Sequence, residues 1–380
     1  MRAALDAIAD SEEVLVLPGD HPLISIGALS GLLEARHEAS AGATVLTTEM
    51  DDPGSYGRIV RDSSGDVERI VEAKSGASDA TPEELAIREV SSVIFAFDAS
   101  ALTEALAKIT NDNAQGEYYL GDVLPAMRDA GLRVTAHMET DPHVNLGINS
   151  RADLAVAEAE ARRLINEGHM LAGVTIVDPE ATWIDADVEL AHDVRIEPGT
   201  SLRGTTTVAE GATIGPHATL VDSRIGSAAS VIQSHLIKSE VGDGCSVGPF
   251  AHLRPGTKLA AGAKAGTFVE IKNSEVGEGA RVPHLSYVGD ADVGDGANLG
   301  AGTITANYDG YDKHRTKIGQ GARIGVDTAL VAPVSVGDDA YTGAGAVIRE
   351  DVPPGALGVN KGEQRNIKGY AKRRAEEREE

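Results

Sequence analysis

Residues 241–271 read VGDGCSVGPFAHLRPGTKLAAGAKAGTFVEI, and an aliphatic or small side chain returns every six positions: Val241, Val247, Leu253, Leu259, Ala265 and Ile271. A helix repeats its buried face every 3.6 residues and a half-buried strand every two, so a sustained period of six belongs to neither. It is the signature of hexapeptide repeats, three of which wind into a triangular coil of about 18 residues in a parallel β-helix. One aliphatic side chain per edge stacks on those above and below it, while small residues and glycine relieve the tight corners. The pattern runs outward in both directions. Val208, Ile214 and Leu220 precede it, and Val276, Val282, Val288, Val293, Leu299, Ile318, Ile324, Leu330, Val336, Thr342 and Ile348 follow, with corners marked by IGPHAT, VGEGAR, VGDGAN and IGQGAR.

The rest of the chain is written differently. Of 43 glycines, 29 lie between positions 171 and 365. Residues 1–150 instead alternate short apolar runs (VLVLPGD, ATVLTTEM, VSSVIFAF) with helical patterns such as IGALSGLLEARHEA, which predicts an α/β domain. RADLAVAEAEARRLINEGH has apolar residues at helical spacing and few breakers, so 151–170 is expected to be a linking helix. The β-helix is placed at 171–365, and the charged segment 366–380 reads as a solvated tail. Against 34 basic residues stand 59 acidic ones, a net charge of -25 that argues against nucleic acid or an anionic membrane as partner. No long apolar run or signal peptide appears, and Cys245 is the lone cysteine, so a cytoplasmic protein without internal disulfides is expected.

The winding predicts which polar residues meet. Arg254 and Lys272 each follow a core aliphatic and lie 18 residues apart, so they stack as two cations, an arrangement that an anion such as phosphate would stabilise. The repeat shortens by one residue between Ile271 and Val276 and again between Val288 and Val293. Counted through those steps, 265, 282 and 299 form one column and 253, 271 and 288 its neighbour. His284, Tyr287 and Asn298 then join Arg254 and Lys272 around one edge of the prism. A histidine titrates near neutral pH and is suited to take a proton from an amine or hydroxyl. The other histidines of this half, His192, His217, His235, His252 and His314, fall at different phases, which argues against a three-histidine metal site. After Gly302 the register breaks for TITANYDGYDKHRTK and resumes at Ile318, so an outward insertion is expected, its Asn307 and Tyr308 directed at a neighbouring prism. If the insertion replaces a single corner, 324 and 342 continue the 299 column; Val326 and Ala344 then share the phase of His284 and Ala301, giving a groove of small or apolar residues along the axis.

The segments GPFAHLRPGTKL, FVEIKN, VPHLSYVGDADVG and GANLGAGTITANYDG closely resemble the bacterial bifunctional N-acetylglucosamine-1-phosphate uridyltransferase and glucosamine-1-phosphate acetyltransferase family. The resemblance implies a left-handed β-helix that assembles as a homotrimer, with active sites between neighbouring prisms. It also implies acetyl-CoA as cosubstrate and glucosamine 1-phosphate as acceptor, on the route to the cell-wall precursor UDP-N-acetylglucosamine. In that family's pattern His284 is the general base, Arg254, Lys272, Tyr287 and Asn298 bind the amino sugar phosphate, and Ala301, Asn307, Tyr308, Val326, Ala344 and Lys361 sit where acetyl-CoA is contacted. Val326 replaces the family's usual serine and Lys361 its usual arginine, a point charge in place of a fork. VLPGDHPLI, YGRIV, IVEAK, EVSSV and NLGINSR resemble the later part of the uridyltransferase domain, placing Asp20, Gly57, Glu72, Ser91 and Asn149 at a nucleotide-sugar site, with Asp20 and Asn149 as Mg²⁺ ligands. The family's glycine-rich triphosphate cradle has no counterpart before Asp20, so this α/β, nucleotidyltransferase-like, Rossmann-like domain is read as truncated and its use of UTP as impaired. Two alternatives remain: a fully bifunctional enzyme, and a non-catalytic trimeric scaffold.

Overall fold

A computed structural model of the protein describes residues 5–8, 10–73, 80–110, 118–360, 366–371 and 373. They form two compact units, Met1–Ala161 and Arg162–Glu380. The division falls inside the helix Arg151–Leu171.

Unit 1 is built on a six-stranded mixed sheet. Its central strand pair, Ala43–Glu49 and Glu89–Asp98, is antiparallel, and Ala43–Glu49 pairs in parallel with Val134–Met138 on its other side. Alternation along Glu89–Asp98 divides the core: Ile94 and Ala96 pack with Leu32 and Leu46 under the helix Ile26–Ala39. Phe95 and Phe97 point the other way, with Leu102, Leu124 and Met127. The helix Ile26–Ala39 starts at Ser25, whose Oγ accepts from the Ala28 N–H at 3.0 Å.

Unit 2 is a left-handed parallel β-helix. Its three sheets have 11, 10 and 9 strands among the described residues, beginning respectively at Thr175–Ile176, Trp183–Ile184 and Glu189–Leu190; we call them faces one, two and three. With few exceptions, each coil contributes one buried apolar side chain per face to a continuous core. Ile165 packs on that core and Asn166 donates through Nδ2 to the Pro179 and Thr182 carbonyls at 2.9 and 3.2 Å, closing the first end of the stack. The columns counted from the sequence hold: Leu253 pairs with Ile271 and Ile271 with Val288 on face two, Ala265 with Val282 and Leu299 with Ile324 on face one. Cys245 is a packed core side chain whose Sγ–H donates to the Ala260 carbonyl at 2.9 Å, and burial pushes its thiol pKa up.

Two expectations change. The gap in the repeat between Leu220 and Val241 is filled by tighter coils, in which Leu220 pairs with Leu236 and Ile225 with Val241, both 16 residues on. Those short coils bring His235 and His252 to one phase, with ring centroids 5.4 Å apart, rather than to different ones. The second change concerns the insertion. Ile304–Ala306 is still a strand of face two, and Thr305 occupies the core slot above Val288. Its hydroxyl accepts from the Gly289 N–H at 2.7 Å and donates to the Gly289 carbonyl at 2.9 Å, so a polar residue satisfies backbone groups inside an otherwise aliphatic column. Thr305→Val is therefore expected to destabilise unit 2 by about 1–3 kcal/mol despite its similar shape, because Gly289 loses its partner. Chemical denaturation followed by circular dichroism checks this; a stabilised variant would contradict it. Among the described residues no helix is long and apolar enough to cross a membrane.

Candidate active site

The excursion that does leave the coil spans residues 307–315. It is a tight hairpin: Tyr308 and Lys313 form an antiparallel bridge, and the Asp309 carboxylate accepts from the Tyr311 and Asp312 N–H groups, both at 2.8 Å, and bonds His314 Nε2 at 2.7 Å. These bonds hold the Asp309 carboxyl far below its ordinary pKa. Arg315 anchors the returning limb through a bidentate pair with Asp292, Nε donating to Oδ2 at 2.8 Å.

His284 stands on the corner between faces one and two, exposed, at the end of the strand Arg281–His284. Its carbonyl accepts from Ser286 Oγ at 2.7 Å and from the Gly302 N–H at 3.4 Å, which fixes the backbone. Among the described residues no side chain hydrogen-bonds its ring. The same corner column carries Ala301, Val326 and Ala344: Asp327 N–H donates to the Ala301 carbonyl at 2.7 Å and Gly345 N–H to that of Val326 at 2.8 Å. The column of small and apolar residues expected along the axis is thus present, with Val326 half exposed.

Face two supplies the polar groups. Arg254 and Lys272 stack in register as the winding requires. They are not a bare cation pair, however, because Arg254 Nη1 donates to Glu270 Oε1 at 2.8 Å. The close pair of cations is Lys272 with Lys313, a residue the sequence did not single out. The Lys272 ammonium lowers the Lys313 pKa, partly offset by the Asp290 carboxylate and by Tyr287. Tyr287 lies on the same face, its ring covering Gly289, where any Cβ would collide with it. Asn307 is not directed outward: it is buried, and its amide donates to Asp290. Tyr308 is exposed, its hydroxyl donating to the Gly310 carbonyl at 2.6 Å. Asn298 is exposed on face one, aligned with Arg281 and Arg323, and so faces away from Lys272 within this chain. Lys361 lies outside the described residues.

In unit 1 the Ile148 N–H donates to the Asp20 carbonyl at 2.9 Å, which brings Asp20 beside Asn149. Asp20 bonds the His21 ring at 2.9 Å, and that bond keeps its carboxyl pKa lowered. An anionic carboxylate beside an amide oxygen is the hard-donor set that suits Mg²⁺. Gly57, Glu72 and Ser91 also converge. Ser91 N–H donates to the Gly57 carbonyl at 2.9 Å, and a Cβ on Gly57 would lie 3.7 Å from Glu72 Oε1 and strike Ile70.

Comparison with known proteins finds relatives over most of the chain. The family described as Nucleotidyl transferase matches residues 1–185. The "Bifunctional protein GlmU" of Corynebacterium efficiens is 50% identical over 361 residues, which cover 95% of this chain and 74% of that protein. The protein of the same name from Kineococcus radiotolerans is 52% identical over 372 residues, covering 97% of this chain and 75% of that one. Among solved structures, LpxA from Acinetobacter baumannii aligns with 53% of this chain and 77% of its own at 16% identity and a TM-score of 0.30. Identity at half of all aligned positions, over nearly the whole chain and so through both units, places this chain in the bifunctional GlmU family.

Proposed function

We propose that unit 2 transfers the acetyl group of acetyl-CoA to the amine of glucosamine 1-phosphate. The observation that carries this reading is an exposed histidine at a corner of the β-helix, whose ring takes no side-chain hydrogen bond among the described residues, with a close pair of lysines at the far end of the face that follows it. In this reading Lys272 and Lys313 seat the sugar phosphate. Arg254 joins them by exchanging Glu270 for phosphate, and Tyr287 packs on the sugar. His284 takes the proton from the amine as its nitrogen attacks the thioester carbonyl; as the C–S bond then breaks, the imidazolium returns that proton to the sulfur and CoA leaves as the thiol. Ala301, Val326 and Ala344 line the course of the pantetheine arm, with Asn307 and Tyr308 at the loop and Lys361 on a CoA phosphate. Asn298, turned away within one chain, would serve a site completed by a second copy, which favours a homotrimer.

The test is a thiol-release assay with acetyl-CoA and glucosamine 1-phosphate, together with calorimetry. Acetyl-CoA-dependent thiol release is expected. Absence of acetyl-CoA binding at millimolar concentration would favour a non-catalytic scaffold. For unit 1 we propose a nucleotide-sugar site formed by Asp20, Gly57, Glu72, Ser91 and Asn149, with Mg²⁺ held by Asp20 and Asn149. The nucleotidyl transferase match favours uridylyl transfer as a second activity. Pyrophosphate release from UTP and N-acetylglucosamine 1-phosphate would be assayed in parallel. The expected products lie on the route to UDP-N-acetylglucosamine, in the cytoplasm.

A further inference from the structure

The contacts around the lysine pair converge on a residue to which the proposed chemistry gives no part. Asp290 follows the face-two strand Tyr287–Gly289 in a left-handed conformation, φ 50°, and is only 7% exposed. Its N–H donates to the Lys272 carbonyl and its carbonyl accepts from the Thr316 N–H, both at 3.0 Å, so its backbone ties the preceding coil to the returning limb of the 307–315 hairpin. Its carboxylate reaches in two directions. Oδ1 accepts from Asn273 Nδ2 at 2.6 Å, and Oδ2 accepts from Asn307 Nδ2. Burial alone would push its pKa up, but the two amide hydrogen bonds, and after them the nearby Lys272 and Lys313 ammonium groups, leave it lowered.

A buried carboxylate is unfavourable unless it is fully partnered, and this one gathers two amides and two cations. Two physical consequences follow. An ionised carboxylate can only accept, so Asn307 must turn Nδ2 inward and present its carbonyl oxygen on the other side. The negative charge also offsets repulsion between two ammonium groups that would otherwise separate or lose a proton. We infer that Asp290 is the positioning residue that couples the two substrate seats, spacing Lys272 and Lys313 for the sugar phosphate and orienting Asn307 toward the acyl donor. This rests on the acetyltransferase reading given above.

Asp290→Asn keeps the shape and one acceptor but removes the charge. Relative to wild type, KM for glucosamine 1-phosphate is expected to rise about tenfold, the scale of one weakened charge-assisted contact, with a smaller rise for acetyl-CoA. The groups facing Lys313 are Lys272, Asp290 and Tyr287. Arg315 also lies beside Asp290, but it is committed to Asp292. Removing the Asp290 charge lowers the Lys313 pKa further, and phosphate binding needs the protonated amine. The alkaline limb of kcat/KM therefore moves to lower pH in Asp290→Asn and stays in place in Asp290→Glu. A folded Asp290→Asn variant whose limb and KM values match wild type overturns the inference, as does a fall in kcat alone.

An activity-independent measurement separates this inference from the functional reading. The Lys313 ε-carbon resonance, followed by NMR against pH and against added inorganic phosphate, should titrate at lower pH in Asp290→Asn and report phosphate binding about tenfold weaker. An unchanged midpoint overturns the role of Asp290 whether or not acetylation is observed. If Asp290→Asn does not fold, Asp290→Glu decides the matter: it should raise KM for acetyl-CoA while leaving the Lys313 midpoint unchanged, and the opposite pattern overturns the inference.

Discussion

His284→Ala is expected to lower kcat for acetyl transfer by about two to four orders of magnitude, the range a positioned general base contributes. That corresponds to about 3–5 kcal/mol of barrier. The exposed ring takes no side-chain hydrogen bond among the described residues, and its backbone is fixed by Ser286 and Gly302, not by the imidazole. Truncation should therefore leave folding intact, with the thermal transition and the KM for acetyl-CoA close to wild type. Steady-state kinetics beside a melting curve separate the two effects. Full turnover in this variant would remove the base assignment, and a large loss of stability would mean that the ring has a packing role these contacts do not reveal.

Gly266→Ala is expected to disrupt both the coil and the chemistry. A Cβ built at Gly266 would lie 2.0 Å from the Pro283 carbonyl oxygen, 2.7 Å from its carbonyl carbon and 2.9 Å from its Cα. All three atoms are backbone, so no side chain can rotate out of the way; the strand Arg281–His284 must move. That strand pairs with Lys264–Thr267 in a register that sets Thr267 opposite His284. Overpacking in a well-filled interior costs typically about 1–3 kcal/mol and sometimes more, and a backbone-on-backbone conflict belongs at the upper end. Displacement of the base by about 1 Å can cost a further hundredfold in rate. Denaturation and kinetics on the same preparation check both parts. A variant with wild-type stability and rate would mean that the coils are spaced more loosely at this corner than these distances require.

The β-helix and its columns were legible because the core phase is a simple physical demand: each coil must return an apolar side chain to each face. Hence the placement of Ala301 above His284 followed from counting, and that of Val326 and Ala344 from counting with the insertion taken to replace a single corner. What the count missed were positions where polar contacts override the rule. Thr305 looks like the start of an insertion, yet its hydroxyl pairs with Gly289 on both sides and lets it fill a core slot. Lys313 lies in a hairpin without periodicity, so nothing in the spacing put it beside Lys272. The stacking of Arg254 on Lys272 was readable, but not that Glu270 would hold the guanidinium. The 16-residue coils between Leu220 and Val241 went unseen because shortened repeats blur the period, and the alignment of His235 on His252 went with them. In unit 1 the apolar alternation marked the sheet. The proximity of Asp20 to Asn149 depends on one long-range backbone bond that no local pattern encodes.

Among the described residues of unit 2, each strand on a face pairs with its immediate neighbours in the stack and with no other strand. Such a column behaves like a spiral stair: one whole tread can be lifted out or duplicated near the lower landing, between Trp183 and Thr219, and the steps above keep their mutual spacing. Length and catalysis are then separable inheritances, since a lineage could lengthen or shorten the shaft by complete turns while the treads bearing Arg254 through Ala344 stay unaltered.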